Sequence, residues 1–383
     1  MRRKNKIVIL VDWYIPGFKA GGPIRSVANI VGHLKEVYDF RIITSDRDLH
    51  SVTPYEGIIS DTWMEKEEGY SIYYLSKDNI NYKNIKRLML AEQADAIYLN
   101  SLFSVFFTLM PLLIRKKFLP GRRVVLAPRG MLGEGALNQK SIKKKSFLLF
   151  AKFLGLYKNI RWHVSSAFEA NEVRRIFGKN SSIHIALNLS APSSIRYVPR
   201  RKTSGEMKAV YISRVASVKN LEGALRVLSK LPADCHVEYD IYGPLEDAEY
   251  WGKCLQLISE MPAHIKVNYC GALPNEEVAA KLANYHFGLM LTFNENFGHS
   301  IVETMIAGCP VIISDRTPWR GLSEKNVGWD LSLEQESKII ETVDHACRMD
   351  QMEFDHWSMA AYEYARFIIK NPEAVEQNRL LFV

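Results

Sequence analysis

Cysteine is scarce in this 383-residue sequence: Cys235, Cys254, Cys270, Cys309 and Cys347 all lie in the second half, and none forms a C-x-x-C pair. That pattern argues against a zinc site and against a disulfide-stapled secreted domain, so a reduced, cytoplasmic chain is expected. Long apolar runs are missing too. The longest, Ser101 to Ile114, contains Pro111 and stops at Arg115, Lys116 and Lys117, short of the ~20 residues that span a bilayer. A basic start leads into Ile7–Val11, but Asp12 ends that run too early for a signal peptide, and it reads as a first buried strand. No G-x-G-x-x-G occurs, which disfavours a dinucleotide site. Acids are nearly absent from one stretch, residues 101–200, which hold 18 Lys/Arg against 3 Asp/Glu.

That deficit makes the charge lopsided. Residues 1–200 carry 32 basic and 16 acidic side chains (+16), residues 201–383 carry 18 and 26 (−8), and the two sum to the net +8 of the chain. A basic half beside an acidic one points to a polyanion on one side only. Nucleic acid would need a recognisable module with aromatics among the basic clusters, and none is present, so no nucleic-acid partner is expected. Lys143 to Lys145, followed by the apolar Phe147–Tyr157, instead has the composition of a helix lying on an anionic membrane.

Short β-like runs alternate with longer amphipathic ones throughout, as in parallel sheets covered by helices. Strands are predicted at 6–11, 40–44, 72–75, 96–99, 123–127 and 161–164, then at 208–212, 237–242, 265–269, 287–291 and 311–314. The Pro- and Ser-rich, aperiodic stretch 189–205 reads as a linker. The expected fold class is therefore α/β: a domain over 1–200, a second over 201–356, and a terminal helix from about 357 to 383 returning to the first. Ligands of open α/β sheets sit at the carboxyl ends of strands, so two such domains would face each other across a cleft.

The segment from Phe293 to Asp315 carries the chemistry. Ser300–Ala307 has helical spacing, Gly308 suits the left-handed residue after a helix, and Pro310 blocks continuation before a buried strand. Glu295 to Gly298 is then a loop feeding a helix N-terminus, where the N–H groups of Gly298, His299 and Ser300 would receive a pyrophosphate. Glu295 and Glu303 bracket that seat, and a carboxylate accepts the paired hydroxyls of a ribose or hexose. Arg214 and Lys219, delivered after the predicted strand at 208–212, would neutralise a diphosphate leaving group.

Glu295, Phe297, Gly298 and Glu303 stand in the spacing E-x-F-G-x-x-x-x-E, and on these residues the chain resembles glycosyltransferase family 4, with its GT-B fold of two Rossmann-like domains. The resemblance implies a retaining glycosyltransferase. It implies Glu303 on the donor ribose, Glu295 beside the anomeric carbon, and Arg214 and Lys219 on the diphosphate. It places Gly21 and Gly22 in a glycine loop near the donor phosphates, and Gly243 and Leu273 where backbone passes the diphosphate and base. It puts Phe297 in the donor site, with His299 either on the donor sugar or a surface cap at the helix start. No cofactor and no metal are expected; a UDP-sugar is the expected donor, with a glycan or lipid-linked acceptor and peripheral contact with an anionic membrane. Where the family has a histidine after an N-domain strand, this chain has Leu126–Met131, with Arg129 in a position to meet an anionic group. Ser166 and Glu169 read as a helix capping box. A GT-B nucleotide-sugar epimerase and an inactive nucleotide- or membrane-binding homologue are the competing readings.

Overall fold

The computed structural model describes residues 3–67, 69–133, 141–191 and 196–383, without the side chains of residues 141–145 and 275–276. The cluster Lys143–Lys145 and residues 192–195 of the expected linker thus lie outside the described parts. The chain divides into two compact units, Met1–Pro192 with Asn371–Val383, and Ser193–Lys370.

The first unit is an eight-stranded sheet of β1 (Asn5–Leu10), β2 (Tyr38–Ser45), β3 (Trp63–Lys66), β4 (Tyr70–Leu75), β5 (Ala96–Leu99), β6 (Arg123–Leu126), β7 (Arg161–Val164) and β8 (Ser182–Ile185), in the order β3-β4-β2-β1-β5-β6-β7-β8. All neighbours are parallel except β3 with β4. Its helices are α1 (Gly22–Leu34), α2 (Tyr82–Glu92), α3 (Met110–Phe118), α4 (Ser141–Phe153) and α5 (Ala167–Phe177). Ile7–Leu10 of β1 are wholly buried because helices cover both faces of a parallel sheet. α1 turns Ile24, Val27, Ile30, Val31 and Leu34 inward at helical spacing.

The second unit holds β9 (Glu206–Ile212), β10 (His236–Tyr242), β11 (Ile265–Tyr269), β12 (Phe287–Met290), β13 (Val311–Ser314) and β14 (Gly328–Leu331), all parallel. Their order is β11-β10-β9-β12-β13-β14, so the sheet reverses direction between β9 and β12, the switch point where such folds bind ligands. The helices are α6 (Leu221–Leu228), α7 (Ala248–Ser259), α8 (Asn275–Leu282), α9 (His299–Ile306), α10 (Glu336–Arg348) and α11 (Gln351–Ile369).

Three strands escape the sequence reading: β3, β8 and β14. Each closes an edge of its sheet and is at most half-buried over most of its length, so none carries the apolar run by which buried strands are recognised. The stretch after residue 195 is also no mere linker. Arg200 donates to the carbonyls of Tyr285 (2.8 Å) and Gly308, and Lys202, 4% exposed, donates to those of Cys347 (2.6 Å) and Met349 (3.1 Å). These bonds tie residues 200–202 to the second unit.

The terminal helix expected over 357–383 is two helices in different units. Trp357, in α11, stacks on Trp329 at 4.1 Å, and Phe354, Ala361 and Ala365 are fully buried in the second unit. Pro372 cannot extend α11, and Asn371 caps a new helix, Pro372–Leu380. Leu381 and Phe382 beyond it enter the core of the first unit, where Phe382 meets Tyr38 edge-on at 5.3 Å.

Candidate functional site

At the carboxyl end of β9 the chain runs through Ser213 and Arg214 into a short turn, Ser217–Lys219, and then α6. At the carboxyl end of β12 it runs through Leu291–Gly298 into α9. These adjacent loops are fastened together. Val218 O accepts from Phe293 N (2.9 Å) and Thr292 Oγ1 (3.0 Å). Asn220, with φ 50°, caps α6 by accepting from Gly223 N (3.1 Å) and donates Nδ2 to Leu291 O (2.8 Å). The consequence is an ion pair across the switch point, Lys219 Nζ to Glu295 Oε2 at 2.6 Å, with side chains 13% and 22% exposed. Glu295 Oε1 accepts from Asn296 N (3.0 Å), and Glu295 N donates to Arg316 O (3.0 Å). Burial alone would raise the Glu295 pKa; the Lys219 charge and hydrogen bond, the Asn296 N–H and nearby His299 outweigh it and hold the carboxyl below its ordinary value. Glu295 is therefore an ionised carboxylate at neutral pH.

Arg214, one-third exposed, is ion-paired with Glu246, whose loop is drawn in by Val215 N to Pro244 O (2.9 Å) and Glu246 N to Val215 O (3.1 Å). Gly243 sits where the loops after β9 and β10 touch. Its N–H reaches Gly271 O (2.9 Å), and a Cβ there would lie 1.8 Å from Ser213 O. Leu273 is half-buried against the cluster of Val210, Tyr242 and Val278.

Gly298 caps α9 in the left-handed conformation, φ 78°, with no side-chain cap on the helix. A Cβ at Gly298 would meet Ile301 Cδ1 at 2.7 Å and Glu295 Cγ at 3.1 Å, so glycine lets the acidic loop fold tightly against the helix start. Ser300 lies in the first turn and Glu303, half-buried, one turn further on. Phe297 and His299 are buried, their rings 4.8 Å apart, and Phe297 also packs on Trp319 at 5.3 Å. Both side chains brace the loop.

The structure thus brings Arg214, Lys219, Gly243, Leu273, Glu295, Gly298, Ser300 and Glu303 to one carboxyl edge of the second unit. Gly21 and Gly22 belong to the first unit, Gly21 at φ 66° capping α1, with open space where a Cβ of either would stand. Sequence reasoning missed Glu246, Asn220 and Trp319. Only Asn220, just before a helix, carried a local signal.

One sequence reading needs correction. Ser166 does cap α5 through Glu169 N (3.2 Å), but the Glu169 carboxylate does not complete a capping box. It accepts instead from Gly130 N (2.7 Å), Ser165 N (2.7 Å) and Ser165 Oγ (3.0 Å). Asp46-Arg47-Asp48 is an Asp-x-Asp triplet to which the sequence reading gives no role. Asp46 accepts from Arg47 Nε (2.8 Å) and Ser60 Oγ (2.9 Å), and Asp48 from Phe18 N (2.8 Å) and Lys19 N (3.0 Å), so both carboxylates pin the loops beside them.

A β11-β10-β9-β12-β13-β14 order with cations, acids and a helix start at its switch point is an arrangement in which open α/β sheets receive ligands, and the whole chain has the GT-B fold. It is similar to sucrose-phosphate synthase from Thermosynechococcus elongatus, with a TM-score of 0.74 and 14% identity over 99% of this chain and 98% of that one. It is similar to Anabaena HepE in complex with UDP-glucose, with a TM-score of 0.70 and 15% identity over 98% of both chains. Residues 198–347 match the family described as Glycosyl transferases group 1. O-antigen chain mannosyltransferase B of Escherichia coli is 26% identical over 167 residues, 40% of this chain. That match spans 42% of the relative's length.

Proposed function

We propose that the protein is a retaining glycosyltransferase, moving a hexose from a nucleotide-diphosphate donor to a glycan or lipid-linked glycan in surface polysaccharide synthesis. The observation that carries this is the Lys219–Glu295 pair at the β9/β12 switch point, beside Arg214 and the start of α9. Arg214, Lys219 and the first N–H groups of α9 stabilise the leaving diphosphate, which makes a metal unnecessary. Glu303 takes the ribose hydroxyls, and Glu295 faces the sugar as positive charge develops at its anomeric carbon. The acceptor oxygen bonds to that carbon, the bond from carbon to diphosphate oxygen breaks, and a phosphate oxygen takes the acceptor proton. The UDP-glucose bound by HepE and the O-antigen relative support a UDP-sugar and a polysaccharide product. A panel of nucleotide-sugars screened for thermal protection tests the reading: at least one, with its nucleoside diphosphate, is expected to raise the melting temperature. Protection by none would overturn it, and release of an altered nucleotide-sugar without acceptor would favour an epimerase.

We infer that the acceptor side works at an anionic membrane surface. α4 buries Leu148 and Ala151 but exposes Leu149 (73%), Phe150 (63%) and Phe153 (87%). Lys116, on the exposed side of α3, reaches the end of this helix through Leu154 O at 2.7 Å. Glu169 and Glu172, the described acids between 101 and 191, are both buried, so the charge displayed by the described side chains of this stretch is positive. Among the described residues no helix is long and apolar enough to cross a membrane. The protein is expected to sediment with vesicles containing phosphatidylglycerol and not with pure phosphatidylcholine, less so at high salt, and Phe150→Asp with Phe153→Asp is expected to release it. Equal, negligible binding to both vesicles would count against the assignment.

A further inference from the structure

In the first unit, the carboxyl end of β6 delivers Arg129 with φ 54°, a backbone conformation that a long side chain rarely adopts. The turn is held there from behind, by Gly130 N donating to the buried Glu169 carboxylate. The guanidinium is fixed by oxygens from two other segments. Nε donates to Asn100 Oδ1 (2.8 Å), Nη2 to Tyr98 Oη (2.6 Å), and Nη1 to Asn188 Oδ1. Asn100 donates onward to Pro23 O at 3.0 Å, in the first turn of α1.

Every one of these partners is neutral. Tyr98 Oη pairs with His163 Nδ1 (2.8 Å), and His163 Nε2 with Ala186 O (3.1 Å). A carbonyl only accepts, so Nε2 carries the hydrogen, Nδ1 accepts from Tyr98, and Tyr98 accepts from Arg129. Burial, then the Arg129 charge, hold His163 well below its ordinary pKa, so the ring adds no charge. The carboxylates on this edge have other partners: Asp12 accepts from Ser104 Oγ (2.7 Å), and Glu169 from the three donors above. Among the described residues no carboxylate lies within ion-pair distance of Arg129.

A half-buried guanidinium bound only to dipoles has no counter-charge beside it. Of its five N–H groups, three are engaged, which leaves two in a plane already set by the neighbours. Such a fork matches an oxyanion, and prior immobilisation lowers the entropy lost on binding. We propose that Arg129 is the recognition residue of an oxyanion site on the carboxyl edge of the N-terminal sheet, taking a phosphate or carboxylate group carried by the acceptor. Calling the ligand an acceptor rests on the glycosyltransferase reading; the anion site does not.

The test titrates the full chain, with and without saturating UDP, using inorganic phosphate in one arm and glucuronate in the other. Wild type is expected to bind one of them, which identifies the class of anion. Arg129→Gln is expected to weaken that binding by about tenfold or more, and Arg129→Lys, which keeps charge without the fork, by less. UDP affinity is expected to be the same in all three, and its absence in wild type would count against the donor-site reading alone. Binding of neither probe by wild type, or unchanged binding by Arg129→Gln, would overturn the proposal. Should Arg129→Gln not fold, Asn188→Ala decides, because it frees the guanidinium without removing its charge; unchanged anion affinity there is the overturning result.

Discussion

Glu295→Ala is expected to lower turnover by ~10²–10³ while the protein stays folded, the range observed when one group that stabilises transition-state charge is removed. Two properties of the site support so large an effect. Lys219 and the Asn296 N–H keep the carboxylate ionised despite burial, and the fastened loops hold it in place before any ligand arrives, so little reorganisation is needed at the moment of reaction. Glu295→Gln separates charge from shape, since it keeps the size and loses the negative charge. If charge is what matters, Gln is as inactive as Ala; near-normal turnover in either variant would refute the assignment.

The same pair has a pH signature with a definite sign. The folded pKa of Glu295 lies below the unfolded one, so its stabilisation is complete above the ordinary carboxylate range and is lost as pH falls through that range to the lowered folded value. Denaturant melts of wild type and Glu295→Gln should therefore converge in acid, and their difference should grow to a plateau towards neutral pH.

Gly243→Ala is expected to cost about 3–5 kcal/mol of stability, a size reserved for strain or overpacking that cannot relax. The added Cβ would stand 1.8 Å from Ser213 O, and the obstacle is backbone that cannot rotate aside. To relieve it the loops after β9 and β10 must part, breaking Ser213 N to Tyr242 O (3.1 Å) and the Val215–Glu246 contacts that place Arg214. Lost stability should therefore come with weakened binding of nucleoside diphosphate. Chemical denaturation and UDP titration measure the two, and a variant with wild-type values for both would show that the loops part without cost. Gly21→Ala makes the contrast, with open space at the Cβ and strain only from φ 66°.

Much of this was legible along the chain. Central parallel strands are buried on both faces, so Ile7–Leu10 and Val311–Ile313 appear as unbroken apolar runs, and β5, β7, β11 and β13 fall at the residues expected. The loop-to-helix step at Glu295–Glu303 was visible because glycine, the helical spacing and the Gly308 stop are all local. Three of the four edge strands, β3, β8 and β14, were not legible, since half-exposed backbone needs no apolar pattern, and α11 ran on into the last helix because both are amphipathic and only their partners differ. Phe297 is legible only as a motif position: the Trp319 it packs on is 22 residues away and unmarked.

By itself the sequence determined what depends on neighbours in the chain: the alternation of strands and helices, the basic character of residues 101–200, and the spacing of the two acids around a helix start. Tertiary structure decided what depends on strand order. Lys219 and Glu295 stand 76 positions apart and meet because β9 and β12 are adjacent across the switch point; Gly243 is obligatory because two loops cross there, and Arg129 has no counter-charge beside it because the folded chain surrounds it with neutral acceptors. Periodicity reports burial, which is local, whereas pairing follows from which strands lie side by side, and no stretch of residues encodes that alone.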